Sequence, residues 1–138
     1  MKKILLIGLV LALVGAMVAY KMYNKPHADM AQVKAEAKLS AKSLFEAFDV
    51  DENAANEKYL GKIIEVEGEI NKVDKKDGKI VSLGLETGDM LAGLTCSLDD
   101  VDYNHRQDFA IGNVVTLRCK CTGKLMDIEL NRCVEIRK

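Results

Sequence analysis

In "IIEVEGEI", residues 63–70, every second position is apolar or glycine. Ile64, Val66, Gly68 and Ile70 fall on one side, and Glu65, Glu67 and Glu69 on the other. A period of two marks a strand with one face in a core and one in water. The same period returns four times downstream. "KKDGK" (75–79) is a tight turn around Asp77-Gly78. "IVSLGLE" (80–86) then alternates through Val81, Leu83 and Leu85, and "LAGLTCSL" (91–98) through Leu94, Cys96 and Leu98. "DDVDYNHRQDFAIGN" (99–113) breaks the pattern and holds a short helix capped by Asp99. "VVTLRCKC" (114–121) places Val115, Leu117, Cys119 and Cys121 inward, with Thr116, Arg118 and Lys120 outward. "DIELNRCVEI" (127–136) is the fifth strand.

Five short strands with a helical break between the third and fourth match the OB-fold, a small closed barrel. Gly68 in the middle of the first strand fits the bend that such a barrel needs. The expected fold class is therefore mainly β: a five-stranded OB barrel over about residues 61–138, preceded by one or two short helices. In the first helix Ser40 is the cap and Leu44, Phe45 and Phe48 form the core face. In the second Asp51 is the cap, Ala54, Ala55 and Tyr59 pack, and Gly61 ends the helix. "DVDENAANEKYL" (49–60) opens like a calcium loop at Asp49, Asp51 and Asn53. It has Ala54 where the sharp turn needs Gly and Leu60 where a bidentate Glu belongs, so it fails as one.

The N-terminus carries an address. Lys2 and Lys3 precede an uncharged run of seventeen residues, Ile4 to Tyr20, which Lys21 closes. That length sits at the lower limit for a membrane-spanning helix. Basic residues ahead of an apolar run, with Gly15 and Ala16 inside it, also describe a signal peptide. The expected organisation is a membrane anchor or signal segment over 1–23, a juxtamembrane linker over 24–39, and the OB domain with its helical extension over 40–138. Lys2 and Lys3 favour a cytosolic N-terminus, with the domain on the outer face of the cytoplasmic membrane or, after cleavage, in the periplasm.

Charge and composition narrow the partners. The chain has 20 basic and 21 acidic residues. Removing Lys2, Lys3 and Lys21 leaves 17 against 21, so the domain is mildly acidic at about −4. Nucleic-acid binders usually present a basic face. OB domains that hold single strands also stack bases on aromatic residues of the second and third strands. Those strands here contain none, and only Lys72, Lys75, Lys76 and Lys79 at the first turn offer a basic tip. Nucleic acid is thus the alternative partner, and an envelope ligand or envelope protein the leading one.

Four cysteines remain, three of them in "RCKCTGKLMDIELNRC" (118–133). Cys119 and Cys121 lie two apart on one strand, so their sulfurs stand about 7 Å apart at ~3.3 Å per residue. That is too far for one zinc ion. An exported domain with an even number of cysteines favours a disulfide among Cys96, Cys119, Cys121 and Cys133. Cys96–Cys133 is the first expectation and Cys121–Cys133 the second. Strict alternation turns Cys133 outward, and a bulge near Asn131-Arg132 would bring it in. His105 lies among Asp100, Asp102 and Asp108 without a positioned nucleophile, and His27 beside Pro26 reads as linker. The expectation is a non-enzymatic protein with no metal and no cofactor.

"YNKPH" (23–27), "LFEAF" (44–48), "ENAANEKYLGKIIEVEG" (52–68) and "CTGKLMDIEL" (121–130) followed by Cys133 resemble the tRNA-anti-like family. "KYLGK" and the Cys-Thr-Gly-x-Leu-Met-Asp block are the more specific parts. The resemblance implies small bacterial OB-fold proteins, tethered to a membrane or made as lipoproteins, with no established reaction. This chain departs from the lipoprotein members in lacking an acylatable Cys after the apolar run, and Cys119 is an addition. By analogy with the fold, a ligand belongs on the second and third strands near Ser82, Gly84 and Thr95. A docking role in an envelope complex is the further alternative.

Overall fold

The computed structural model describes residues 2–23, 30, 32–90, 92–99 and 108–137, with all of their side chains except those of 2–6 and 9. In chain order the elements are helix α1 (Lys2–Tyr23), strand β1 (Ala37–Ser40), helices α2 (Ala41–Val50) and α3 (Glu52–Tyr59), and strands β2 (Ile63–Lys76), β3 (Lys79–Leu85), β4 (Leu94–Leu98), β5 (Val114–Lys124) and β6 (Ile128–Glu135). Strands pair in the order β2-β3-β4-β6-β5, and β2 also pairs with β5, which closes a five-stranded barrel. Only β4 and β6 run parallel within it.

β2 closes the barrel by dividing its length. Ile63 to Glu69 pair antiparallel with β5, and Ile70 to Lys76 with β3. The inward set read from the alternation is the core: Ile64, Val66, Ile70, Leu83, Leu85, Leu94, Cys96, Leu98, Val115, Leu117, Cys119 and Cys121 are all buried. Gly68 is needed for close approach. A Cβ there would stand 2.9 Å from Ala41 Cβ and 3.3 Å from Leu85 Cβ. The first turn of α2 therefore rests on bare β2 backbone. Both short helices begin as their caps dictate, with Ser40 Oγ accepting from the Ser43 N–H (3.1 Å) and Asp51 Oδ1 from the Ala54 N–H (3.0 Å). Leu44, Phe45, Phe48, Ala55 and Tyr59 join the barrel core. Ala54, expected to pack, is exposed.

Three further sequence expectations change. The spacer over 24–39 ends in β1, which pairs parallel with β2 through Ala37↔Ile64 to Ser40↔Glu67. Four residues are too few for periodicity to announce. On β3 the buried residue is Ile80 rather than Val81. The register slips by one between Asp74↔Ser82 and Lys75↔Ile80, and a one-residue slip exchanges faces. Finally, among the described residues no helix is long and apolar enough to cross a membrane, so the transmembrane expectation for the N-terminal segment is not carried by the structure. α1 exposes Leu11, Leu13, Met17 and Tyr20. The short helix expected after Asp99 falls on 100–107, outside the described residues, as do His27, Asp100, Asp102 and His105.

Gly68→Ala should destabilise the domain by about 1–3 kcal/mol, since the added methyl forces α2 off the barrel. Urea unfolding at pH 7 measures this. A neutral result would show that the contact between Ala41 and β2 yields freely.

Candidate ligand face and cysteine cluster

Four positions expected or neighbouring on the ligand face do come together. Ser82 stands opposite Ser97, and Gly84 opposite Thr95, across the β3–β4 ladder. All four are half-buried. Lys72 and Asp74 of β2 border this strip on one side, where Gly84 pairs with Lys72 and Ser82 with Asp74. Glu129 of β6 borders it on the other, opposite Thr95. The Ser82 hydroxyl donates to Asp74 Oδ2 (3.1 Å), and the same carboxylate oxygen holds Lys72 Nζ at 3.1 Å. Gly84 is closely covered, because a Cβ would meet Asn71 Oδ1 at 2.7 Å and Lys72 Cβ at 2.8 Å. The strip is thus a row of small half-buried groups with Gly84 overlain by Asn71 and Lys72, the Lys72–Asp74 ion pair on one border and Glu129 on the other.

The expected basic tip separates into parts. Lys75, Lys76 and Lys79 stay exposed around the Asp77-Gly78 turn, whose two residues take φ of 52° and 79° as such a hairpin requires. Lys72 belongs to the strand body and its ion pair.

A second feature escaped the sequence. Glu65, read as solvent-facing, is 6% exposed. On the outer side of the barrel it receives Arg118 Nη2 at 2.6 Å and Nε at 3.1 Å on Oε1, and Lys38 Nζ at 2.7 Å on Oε2. Arg118 Nη1 also donates to the Met30 carbonyl at 3.4 Å. The signal was present but partial: Glu65 and Arg118 are both outward residues of strands that prove to be direct partners. Lys38 arrives with the unforeseen β1. The Lys38 hydrogen bond, seconded by Arg118 and opposed by burial, holds the Glu65 carboxyl below its ordinary value. Lys38, Leu39, Ser40, Glu65, Glu67 and Thr116 line an open groove of about 300 Å³ beside it. Its polar groups are mutually engaged, with Thr116 Oγ1 donating to Glu67 at 3.3 Å.

The cysteines are all buried. The disulfide is Cys119–Cys133, with Cα atoms 4.2 Å apart, and neither expected pairing forms. The reason is register. Lys120 pairs with Asn131 and Arg118 with Val134, so two residues of β6, Arg132 and Cys133, face the single Cys119. Arg132 takes φ 56° in this bulge, which turns Cys133 inward. Cys121 stands opposite Leu130 instead, and so does Cys96 on the other flank of β6. Cys96 and Cys121 are free thiols, and burial raises the pKa of both, with the Gly123 N–H opposing it weakly at Cys121. Still, the sulfurs of Cys96, Cys119 and Cys133 lie within 4.8 Å of one another, a three-strand grouping that Cys-x-Cys spacing does not reveal.

The tRNA_anti-like family model matches residues 1–134. The chain belongs to the tRNA_anti-like family. No curated protein matches it. Among solved structures, a lipoprotein of Klebsiella pneumoniae subsp. pneumoniae, proposed to bind nucleic acid, is similar with a TM-score of 0.58 and 18% identity over 81% of this chain and 99% of its own. At that identity the likeness shows the shared fold. A protein of Leishmania major Friedlin, proposed to be an aspartyl-tRNA synthetase, aligns at a TM-score of 0.45 and 12% identity, over 89% of this chain and 26% of its own. That is too distant to bear on fold or function. The tRNA_anti-like barrel is therefore secure, while the family name does not specify what sits on β3 and β4.

Because its folded pKa is lowered, Glu65 contributes stability that is present above about pH 4.5, the unfolded value, and is lost as pH falls through the folded pKa. Glu65→Ala should cost about 3–5 kcal/mol at pH 7 by leaving Arg118 without its carboxylate. The gap to the wild type should narrow in urea unfolding at pH 3. An equal gap at both pH values would mean that packing, not charge, is what the variant loses.

Proposed function

We propose that this tRNA_anti-like protein is a non-enzymatic binding module, attached to a membrane through α1, on the extracytoplasmic side. Its β3–β4 face takes a polar chain-like envelope ligand or an envelope protein. The observation that carries the reading is the strip of Ser82, Ser97, Gly84 and Thr95, four small half-buried positions, three of them hydroxyl-bearing, in register on neighbouring strands. Small side chains let a ligand approach the sheet closely and hydrogen-bond to the hydroxyls of Ser82, Thr95 and Ser97. The strip has no aromatic platform, so it lacks the stacking of ~1–3 kcal/mol per base that single-strand binders draw on. Membrane attachment is supported by the uncharged run Ile4 to Tyr20 and by the apolar side chains that α1 leaves exposed.

Nucleic acid is the second reading. It is favoured by the exposed Lys75, Lys76 and Lys79 at the β2–β3 turn and by the fold shared with a lipoprotein proposed to bind nucleic acid. Fluorescence anisotropy with a labelled twelve-nucleotide oligo-dT separates the two. No binding at low salt is expected. Binding that weakens steeply with added salt and with Lys75→Ala and Lys76→Ala would replace the envelope reading with this one. In amide NMR spectra, soluble cell-wall glycan fragments should shift residues 82, 84, 95 and 97, and Thr95→Trp should abolish that shift. Glycans that shift nothing would leave an envelope protein as the ligand class, to be sought by crosslinking from Thr95→Cys. A crosslinking trial that captures no envelope protein would remove the binding face altogether.

In cells, the full chain should sediment with membranes and resist alkaline carbonate. Leu11→Asp with Val14→Asp should release it, at roughly 2.5–3.5 kcal/mol per buried acid. Wild-type protein in the soluble fraction would defeat the anchor.

A further inference from the structure

We propose that Cys96, Cys119 and Cys133 form an intramolecular thiol–disulfide exchange site, in which the bridge moves between β5–β6 and β4–β6. β6 lies between β4 and β5 in the sheet, so Cys133 sits on the central strand with one cysteine strand on each flank. The bulge at Arg132 aims it into the core, where both neighbours aim theirs. All three sulfurs lie within 4.8 Å of one another, so the third is within a small rotation of either bridged sulfur. Cys121, on the inward face of β5 like Cys119, is outside the group and serves as an internal control.

The step balances without an outside reagent. The Cys96 thiolate attacks Cys133 Sγ, the Cys96–Cys133 bond forms, the Cys119–Cys133 bond breaks, and Cys119 leaves as a thiolate. One proton passes in net from Cys96 to Cys119, and no electrons are gained or lost. Burial keeps Cys96 protonated in the closed barrel, so exchange follows local opening rather than proceeding in the resting state. Either bridge ties β6 to a strand it already pairs with, and both forms keep the barrel topology. Moving the bridge shifts the covalent tie onto β4, which carries Thr95 and Ser97. With the bridge formed, two of the three sulfurs are taken, and a soft metal lacks a complete ligand set.

Peptide mapping of the full chain tests this directly. Tryptic cleavage after Lys79, Arg106, Arg118, Lys120, Lys124 and Arg132 leaves each cysteine on its own peptide. Wild-type protein is held at pH 8 in urea below its unfolding transition, without added thiol, then acid-quenched, alkylated and digested. The Cys96–Cys133 peptide pair should rise at least fivefold over the untreated sample while circular dichroism stays native. No rise in a sample that remains folded overturns the proposal. In Cys119→Ser, reoxidised with glutathione disulfide, a Cys96–Cys133 bridge should form. In Cys133→Ser a Cys96–Cys119 bridge should form, and Cys121→Ser should leave the distribution unchanged. Pairing to Cys121, or free Cys96 and Cys133 in a folded Cys119→Ser protein, would count against it. One equivalent of zinc or copper with three reduced thiols in protein purified without chelator would make the trio a ligand set instead.

Discussion

The barrel depends on how β2 shares its two edges. A strand offers one row of hydrogen-bonding groups on each side, and a closed barrel must leave neither row unpaired in the core. Ile63 to Glu69 give one edge to β5, and from Ile70 onward the other edge belongs to β3. That arrangement leaves residues 64–67 open on the side that β3 has not yet reached, and β1 fills it. The Glu65 carboxylate, held by Arg118 from β5 and Lys38 from β1, then spans three adjacent strands with one side chain. Gly68 sits at the handover, bare enough for α2 to pack on it. Closure, the added strand and the helical cap are thus consequences of a single strand's sequence.

What could be read from the chain follows from the length over which each pattern runs. The long strands β2 and β5 showed their inward residues in advance because alternation over many positions leaves little choice of face. β1 could not be read, because Ala-Lys-Leu-Ser is short and stands inside a polar, Ala-rich stretch. Its identity as a strand comes from the open β2 edge, a tertiary fact. Val81 and Ile80 exchanged roles for a related reason. A bulge is a property of two paired strands, and one strand's sequence cannot show where its partner slips. The candidate ligand face was legible as a set of positions, since Ser82, Gly84 and Thr95 do meet. Its chemistry was not: the Asp74 that accepts from Ser82, and the Lys72 paired to that Asp74, are placed by the β2–β3 register.

The cysteines illustrate the same limit more sharply. Alternation correctly turned Cys96, Cys119 and Cys121 inward and indicated that Cys133 would need a bulge to join them. The partner of Cys133 was missed because the choice hangs on which residue of β5 stands across from that bulge. Arg132, a non-glycine residue at positive φ, is the local cost of bringing the sulfur in. An arrangement that accepts this cost only to bury a small apolar group would gain little. The bulge has a use in the bond it permits, and the third thiol beside that bond means that the register of β6 holds two bridge partners within reach.

A shared barrel says little about what the barrel holds, because the OB-fold keeps its strand order while the residues on its outer face vary. The lipoprotein that shares this fold is 18% identical, so the side chains on β3 and β4 must be judged for themselves. In this chain they are Ser82, Gly84, Thr95 and Ser97, on a domain whose net charge is negative. Backbone phosphates would be attracted to the β2–β3 turn and resisted by the rest of the surface, and unstacked bases would find no ring to rest on. A neutral or mixed-charge polar chain meets neither obstacle. It can lie along the small residues, hydrogen-bond to the hydroxyls of Ser82, Thr95 and Ser97, and leave the Lys72–Asp74 pair intact at the border.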